Sequence, residues 1–312
     1  MLAFSRRTAS RCFTSCAASA SPAPHTAHAK QHLPGLQLTA DLLNQQYKQQ
    51  LQFLLDSKKS ESATNVFFNK TKITLEWSVV DYRKIPGEAH ADEPDGSRPD
   101  PGLELQSTNS LSVKQRVNLL PEVLFMGKYN SGKSTLLNAL ITPSQNKKLD
   151  EICYVSKTAG FTKTLRCFNL NKKFKIIDSP GYGTKALPSQ GQLILKYIQN
   201  RSQLRKVLLL VSTPIGIKND DLSIIDILYE NNIYFDIIFT KIDKVSHMSQ
   251  IQATVDTLNS FLADNEYHIK PHLYFCCALS RKKDVPRQGI ADLRYNLLQS
   301  CEVPLFAPKK RS

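Results

Sequence analysis

The stretch GKYNSGKS, residues 127–134, matches the pattern GxxxxGK(S/T) and decides the fold of this 312-residue chain. It directly follows an apolar run, residues 123–126, and opens a helical stripe that begins at Leu136. Glycines let the backbone wrap around a phosphate, with its N–H groups and the positive end of the next helix directed inward. In this pattern Lys133 reaches the β- and γ-phosphates, and the Ser134 hydroxyl ligates magnesium. The segment therefore predicts a strand–loop–helix unit that binds a nucleoside triphosphate.

After this unit, the sequence predicts buried strands that alternate with helices. Helix-period segments separate further apolar runs of strand length, which lie at 207–211, 237–239 and 273–277. Strands that are apolar on both faces and separated by helices are typical of a parallel α/β sheet. Residues 165–170 and 174–178 differ, because a three-residue turn joins them and so predicts an antiparallel hairpin. The expected fold is α/β: a mixed six-stranded sheet with one antiparallel edge strand, flanked by helices, plus an N-terminal extension.

Two more polar motifs follow predicted strands, at the edge where ligands bind in open α/β sheets. Residues 178–181 read DSPG; there Asp178 can hold magnesium through water and the amide of Gly181 can contact a γ-phosphate. Residues 240–243 read TKID; the Asp243 carboxylate can accept hydrogen bonds from guanine N1–H and the exocyclic amine, whereas adenine offers no matching donors. Either motif alone is better explained as a turn or a polar strand end. Their order and placement together favour a guanine nucleotide site.

With these motifs in place, the chain resembles the translation-factor-related GTPases, and within them the EngB (YihA) family of ribosome-assembly GTPases. Residues 120–140, LPEVLFMGKYNSGKSTLLNAL, are similar to that family's LPEVAFxGRSNVGKSSLxNxL. Residues 156–164, SKTAGFTKT, are similar to its SKTPGRTQ, and residues 178–183, DSPGYG, to its DLPGYG. The resemblance covers residues 118–300, which it identifies as an EngB-type G domain.

The resemblance implies binding of GTP or GDP with Mg²⁺, and GTP hydrolysis that depends on Lys133, Thr162 and Gly181. Thr162 falls on the switch threonine, which is a second magnesium ligand beside Ser134. Asn130 falls on an asparagine that in related GTPases helps to hold a potassium ion where an arginine finger would otherwise sit. The nucleotide-binding residues that motifs and resemblance predict are Gly127, Lys128, Tyr129, Asn130, Ser131, Gly132, Lys133, Ser134, Gly160, Phe161, Thr162, Lys163, Thr164, Asp178, Ser179, Pro180, Gly181, Thr240, Lys241, Ile242, Asp243, Cys276, Cys277 and Ala278.

The sequence also departs from the family pattern. Tyr182 falls where Ras-like proteins place a water-orienting glutamine, so slow hydrolysis is expected, with stimulation by potassium if Asn130 has the role that the resemblance implies. Ala159 replaces the proline of the switch segment, and Phe161 replaces its arginine. The last base-binding loop reads Cys-Ala-Leu at 277–279 instead of Ser-Ser/Ala-Leu/Lys, and this change could alter nucleotide affinity.

Residues 1–30 have the composition of a mitochondrial transit peptide. They contain Arg6, Arg7, Arg11 and Lys30 together with many serines and alanines, and the first acidic residue is Asp41. A secretory signal would need an apolar core of about 7–15 residues, which this segment lacks. The expected location is therefore the mitochondrial matrix, and the alternative interpretation is a disordered basic tail.

An N-terminal extension, residues 41–84, precedes the G domain. Residues 41–56 place apolar side chains at helical spacing, and we expect one face formed by Leu43, Tyr47, Leu51 and Leu54. Residues 72–79 alternate, with Ile73, Leu75, Trp77 and Val79 on the apolar side, which predicts a half-buried strand. The two elements are expected to pack on the main domain, because a free module of this size would be marginally stable.

Two segments of the chain are expected to lack regular structure. Residues 85–110 are acidic, contain prolines and glycines, and have no aromatic side chain, so they predict a disordered linker. Residues 301–312 form a basic C-terminal tail. The 41% hydrophobic content excludes disorder of the whole chain. No run reaches the roughly 18–20 apolar residues of a membrane span.

The charge and the cysteine content of the chain indicate which partners and which cellular compartment to expect. The formal net charge is +14, from 41 Lys and Arg against 27 Asp and Glu. Basic clusters at 172–175, 281–283 and 309–311 are typical of a surface that attracts rRNA, although a solvated basic face would have the same composition. No aromatic RNA-recognition motif is present, which favours binding to RNA shape and backbone; DNA is not an expected partner. Seven cysteines without a CxxC pair argue for a reducing compartment.

These features predict a mitochondrial GTP-binding protein that hydrolyses GTP slowly as a switch and assists large-subunit ribosome assembly or translation. The expected partners are the mitochondrial ribosome or its large-subunit precursors. The alternative is a septin-like or membrane-associated structural G protein, tethered through the helix at 41–56. That helix has few basic residues, so its attraction to anionic lipid should be weak. A P-loop kinase is disfavoured by Asp243.

Overall fold

The computed structural model describes residues 39–47, 58–86, 119–143, 146, 148–152, 164–183, 186–279 and 287–305. The predicted transit peptide, nearly all of the acidic linker and the switch residues 153–163 lie outside the described residues, as do 280–286 and 306–312. In chain order the described helices and strands are α1 (Ala40–Gln46), α2 (Lys58–Lys70), β1 (Ile73–Val79), β2 (Glu122–Gly127), α3 (Lys133–Ile141), β3 (Leu165–Leu170), β4 (Phe174–Asp178), α4 (Pro188–Asn200), β5 (Leu204–Ser212), α5 (Asn219–Glu230), β6 (Phe235–Thr240), α6 (Met248–Asp264), β7 (Leu273–Cys276) and α7 (Ile290–Ser300).

The strands form one mixed sheet in the order β1-β3-β4-β2-β5-β6-β7. Strands β4, β2, β5, β6 and β7 are parallel, whereas β3 pairs antiparallel with β4, which confirms the predicted hairpin. The predicted number of six strands is wrong, because β1 of the N-terminal extension pairs antiparallel with β3 and becomes the seventh. Without β1, the outer N–H and C=O groups of β3 would form an uncovered sheet edge.

The alternation predicted for β1 holds only for its second half. Trp77 and Val79 are buried, but Leu75 is 56% exposed. The register shifts between Leu75 and Trp77, so that Glu76 is an extra residue in this strand. Such a bulge rotates the side chains that precede it relative to those that follow. The placement of Leu75 on the apolar side is therefore wrong.

The bulge also changes the interpretation of one basic cluster. The ammonium group of Lys175 is fully buried and lies 2.8 Å from the carboxylate of Glu76. Lys172 and Lys173, on the hairpin turn, are exposed. Lys175 is therefore an internal ion-pair partner, and only the turn lysines of this cluster can face a phosphate-rich partner.

Two hydrophobic layers cover the sheet. Alternate residues of β2 point to opposite sides, with Leu124 in one layer and Phe125 in the other. Helices α1, α4, α5 and α6 contribute to the first layer, and α2, α3 and α7 contribute to the second. Among the helices that the structure describes, none combines the length and apolarity that crossing a membrane requires.

A buried arginine fixes the carboxyl end of α3, the helix that follows the glycine-rich loop. The side chain of Arg294 donates from Nε to the Leu140 carbonyl at 2.8 Å and from Nη2 to the Thr142 carbonyl at 2.6 Å. It also donates to Asn65 of α2 and lies over the ring of Phe68, 5.1 Å from its centre. Burial lowers the pKa of Arg294 to about 10. Its positive charge complements the negative end of the helix dipole and joins α2, α3 and α7.

Candidate functional site

The glycine-rich loop connects the end of β2 to the start of α3. Gly132 has a φ of 101°, a left-handed conformation that favours glycine, and it turns the chain into the helix. Lys133 is only 8% exposed, and its Nζ donates to the carbonyls of Gly127 at 2.7 Å and Lys128 at 3.2 Å. Burial lowers the pKa of Lys133 to about 8, while the Asp178 carboxylate opposes that shift. The loop therefore encloses a cation where phosphates are expected.

Asp178 ends β4 beside this loop and is fully buried. One carboxylate oxygen forms an ion pair with Arg166 of β3, and among the described residues the other oxygen has no hydrogen-bond partner. Burial raises the pKa of Asp178, and Arg166 and Lys133 oppose the shift. A buried carboxylate oxygen without a partner, next to the first turn of α3 that carries Ser134, suits a water-bridged magnesium ion. The residues present therefore fit Mg²⁺.

Sequence reasoning missed Arg166. In the antiparallel register of β3 and β4, Arg166 lies directly opposite Asp178. The only sequence signal was the hairpin itself, because a turn at 171–173 brings these two positions together. The carboxylate that is predicted to hold magnesium thus has a cation contact that the motif does not encode.

The motif after β4 packs closely on the glycine-rich loop. A Cβ atom at Gly181 would lie 2.7 Å from the ring of Tyr129, so only glycine permits this approach. The Tyr129 hydroxyl donates to Gln190 of α4 at 3.0 Å. Ser179 is buried, and its hydroxyl donates to the carbonyl of Pro180 at 3.0 Å. The predicted γ-phosphate sensor, Gly181, is therefore in contact with the phosphate loop through Tyr129.

A polar network ties the next residue to α5. The Tyr182 hydroxyl donates to Asp221 at 2.7 Å, and burial, with Asp221 beside it, raises the pKa of Tyr182. Lys128 of the loop lies 3.3 Å from the same carboxylate and 3.2 Å from Asp220. The side chains of Lys128 and Tyr182 are thus engaged with the first turn of α5.

The end of β6 is bonded directly to the phosphate loop. The Thr240 hydroxyl donates to the Ser131 carbonyl at 2.6 Å, and the Lys241 ammonium group donates to the Asn130 carbonyl. Lys241 adopts a left-handed backbone conformation with a φ of 61°. These bonds hold the TKID motif against the phosphate loop.

The residues predicted to read the base follow in a short 3-10 helix, Ile242–Lys244. Asp243 is exposed, and its carboxylate is hydrogen-bonded to the thiol of Cys277. Burial, reinforced by Asp243, raises the pKa of Cys277 to about 12. Cys276 ends β7 and is fully buried, and Ala278 follows Cys277. The structure therefore brings both predicted base-binding segments together.

The switch segment is the part of the predicted site without a structural account. Gly160, Phe161, Thr162 and Lys163 lie outside the described residues. Thr164, the first residue described after them, accepts a hydrogen bond from Ser78 of β1 at 2.8 Å. The roles expected for these residues stay predictions.

Known proteins are similar in sequence to this chain. Residues 122–241 match the family model of the 50S ribosome-binding GTPases. The chain is 32% identical over 272 residues to MIOREX complex component 8 of Saccharomyces cerevisiae, an alignment that covers 87% of this chain and 82% of the relative. It is 40% identical over 194 residues to the probable GTP-binding protein EngB of Rickettsia peacockii, covering 60% of this chain and 84% of that protein.

A crystal structure of a probable GTP-binding protein EngB aligns with 59% of this chain and 99% of its own, at 20% identity and a TM-score of 0.38. The sequence relatives are similar over most of their length, and the phosphate loop and the TKID motif meet at one edge of the sheet. On these grounds, the chain belongs to the EngB-type GTPases.

Proposed function

We propose that this protein is a mitochondrial matrix GTPase that hydrolyses GTP slowly and acts as a switch in large-subunit ribosome assembly or mitochondrial translation. The observation that carries the proposal is the pair of bonds from Thr240 to Ser131 and from Lys241 to Asn130. They hold the predicted guanine-reading motif against the predicted phosphate loop. One ligand with a guanine at one end and phosphates at the other would span both.

The expected chemistry is phosphoryl transfer to water, which depends mainly on positioning and charge neutralisation. Lys133 would neutralise charge on the β- and γ-phosphates. Ser134, Asp178 and Thr162 would hold Mg²⁺, which supplies further neutralisation of the developing charge. The Tyr182 hydroxyl is engaged with Asp221 and is not free to orient a water molecule. An arginine finger contributes about 10³–10⁵ in rate, so hydrolysis without one should be slow.

The switch would operate through the γ-phosphate. Contacts from Thr162 and the Gly181 amide would order their segments with GTP, and hydrolysis would release them. Because Tyr129 packs on Gly181, movement of that segment would change the surface next to α4, where Gln190 holds the tyrosine hydroxyl.

Three observations support the location and the partner. Residues 1–30 have the composition of a mitochondrial presequence. The matching family is described as 50S ribosome-binding, and a relative with similarity over most of its length is a component of the MIOREX complex. Lys172 and Lys173 are exposed at the hairpin turn and suit contacts with an RNA backbone.

Sedimentation of the tagged protein in mitochondrial lysate tests this function. With a non-hydrolysable GTP analogue, we expect the protein to sediment with large-subunit particles; with GDP, it should remain near the top of the gradient. Equal association in both nucleotides would contradict a γ-phosphate switch. Flotation with membranes instead of sedimentation with ribosomal particles would favour the membrane-associated alternative.

Potassium should accelerate hydrolysis if Asn130 has the role that the resemblance implies. We expect GTP turnover to be several-fold faster in potassium chloride than in sodium chloride at equal ionic strength. Asn130→Gly is the matched variant, because glycine adopts the Asn130 φ of 60° without strain and removes only the side chain. The variant should lose the difference between the two salts. Equal rates for the wild-type protein in both salts would contradict the potassium site.

A further inference from the structure

Helix α1 closes the sheet beside β7. Strand β7 is the last strand of the sheet, and edge strands leave backbone N–H and C=O groups unpaired. The side-chain amide of Asn44 pairs with both groups of one residue: its Oδ1 accepts from the Phe275 N–H at 2.7 Å, and its Nδ2 donates to the Phe275 carbonyl at 3.2 Å. Asn44 thus satisfies Phe275 as a neighbouring strand would.

The same helix is packed into the hydrophobic core. Ala40 and Leu43 are buried, with exposures of 0% and 1%. The ring of Tyr47 lies 5.3 Å from that of Phe275, which in turn stacks on Phe239 of β6 at 5.0 Å. Docking of α1 is therefore part of the folded core beneath the ends of β6 and β7.

A second contact from α1 reaches the far side of the base-binding loop. The Ala40 N–H donates to the side chain of Gln288 at 2.9 Å. The backbone of Gln288 pairs twice with that of the predicted base-binding residue Cys277, at 3.1 and 3.0 Å. Helix α1 consequently holds both flanks of the described base-binding segment 276–279, one through Phe275, which precedes it, and the other through Gln288, which is paired with Cys277.

From these contacts we infer that α1 positions the guanine-binding loop, with Asn44 and Gln288 as its positioning residues. The inference rests on the proposed function, because the loop amides that follow Cys277 are expected to contact guanine O6. Fixing both flanks in advance lowers the ordering cost that nucleotide binding would otherwise include. Helix α1 lies before residues 122–241, which match the family model, whereas the base-binding segment that it contacts follows them.

Nucleotide analogues that differ at one atom test this role in the full chain. Affinities are measured for GDP, for IDP, which lacks the 2-amine, and for 6-thio-GDP, whose sulfur is a weaker acceptor than O6. Asn44→Ala should weaken GDP binding about tenfold, equivalent to one net hydrogen bond. The loss for 6-thio-GDP should be smaller, so preference for GDP over 6-thio-GDP falls. Preference for GDP over IDP, which reports on Asp243, should not change.

Matched variants separate positioning from general stability. Tyr47→Phe, at the carboxyl end of α1, removes only the exposed hydroxyl bond to Gln252 of α6 and should leave all three affinities unchanged. Gln288→Ala acts on the same loop from the other side, at a half-buried residue, and should lower the preference for GDP over 6-thio-GDP even if Asn44→Ala does not fold. If wild-type protein binds GDP but neither variant lowers this preference, or all three nucleotides weaken equally, the inference is overturned. A wild-type protein that binds no guanine nucleotide would overturn the proposed function instead, and this inference with it.

Discussion

Asp243→Asn should remove the preference for guanine and admit xanthine nucleotides. The carboxylate would accept hydrogen bonds from guanine N1–H and the 2-amine. An asparagine side chain has only one oxygen, so its NH2 group would face one of these two donors. Hydrogen bonds to charged groups contribute about 1.5–3 kcal/mol each, so GTP affinity should fall roughly 100-fold or more. Xanthine carries a carbonyl at C2 that the new amide can satisfy. Competition binding with GTP, XTP and ATP measures the change.

Lys244→Ala provides the matched control for this substitution. Lys244 is exposed on the same 3-10 helix as Asp243. Removing its side chain shows whether a change elsewhere on this helix alters nucleotide preference while Asp243 stays intact. We expect its preference for GTP to match that of the wild-type protein. Retained preference for GTP in Asp243→Asn would contradict the assignment of Asp243 as the guanine-reading residue.

Arg294→Met should lower the free energy of unfolding by about 2–4 kcal/mol, because a buried carbonyl that loses its donor costs about 1–3 kcal/mol. The Leu140 carbonyl at the end of α3 would lose the donor that Arg294 supplies, whereas the Thr142 carbonyl would keep its 3.2 Å hydrogen bond from Arg287. Methionine fills much of the space but has no donor, so the effect comes from polar groups and not from a large cavity. Urea unfolding followed by far-ultraviolet circular dichroism measures the loss.

Arg287→Met is the control for the buried arginine. Arg287 donates to the carbonyls of Ala139 and Pro143 at the same helix end, but it is partly accessible to water. Water can replace its hydrogen bonds, so we expect a loss of about 1 kcal/mol or less. Equal destabilisation by the two substitutions would show that burial does not set the importance of Arg294.

The local sequence pattern was sufficient to predict the secondary structure of the central part of the molecule. The strand–loop–helix around Lys133 and the hairpin of β3 and β4 were predictable because each is specified by residues that are close in sequence. The alternation at 72–79 predicted a strand but not its neighbour. Its pairing with β3, Ile73 opposite Leu170, depends on residues far along the chain, and the strand count was therefore one too low.

Contacts between distant segments explain the other differences. Buried Lys175 is ion-paired with Glu76 at the bulge of β1, and no periodic pattern of apolar residues predicts that bulge. The pairing of Asn44 with Phe275 joins positions more than 200 residues apart, and an asparagine on a helix carries no signal for closing a sheet edge. In the base site, Asp243 could be identified because its motif follows a strand. The pairing of Gln288 with Cys277 could not be predicted, because only the folded chain brings these two residues together.

The bonds from the end of β6 to the phosphate loop have a consequence for nucleotide release. Thr240 and Lys241 are each bonded to the loop that would surround the phosphates, and Asp243 follows them immediately. Any factor that displaced the end of β6 would weaken the contacts with the phosphates and with the base at the same time. Such a factor would accelerate the exchange of GDP for GTP by acting at one place. Spontaneous release of the nucleotide would require both sets of contacts to break together.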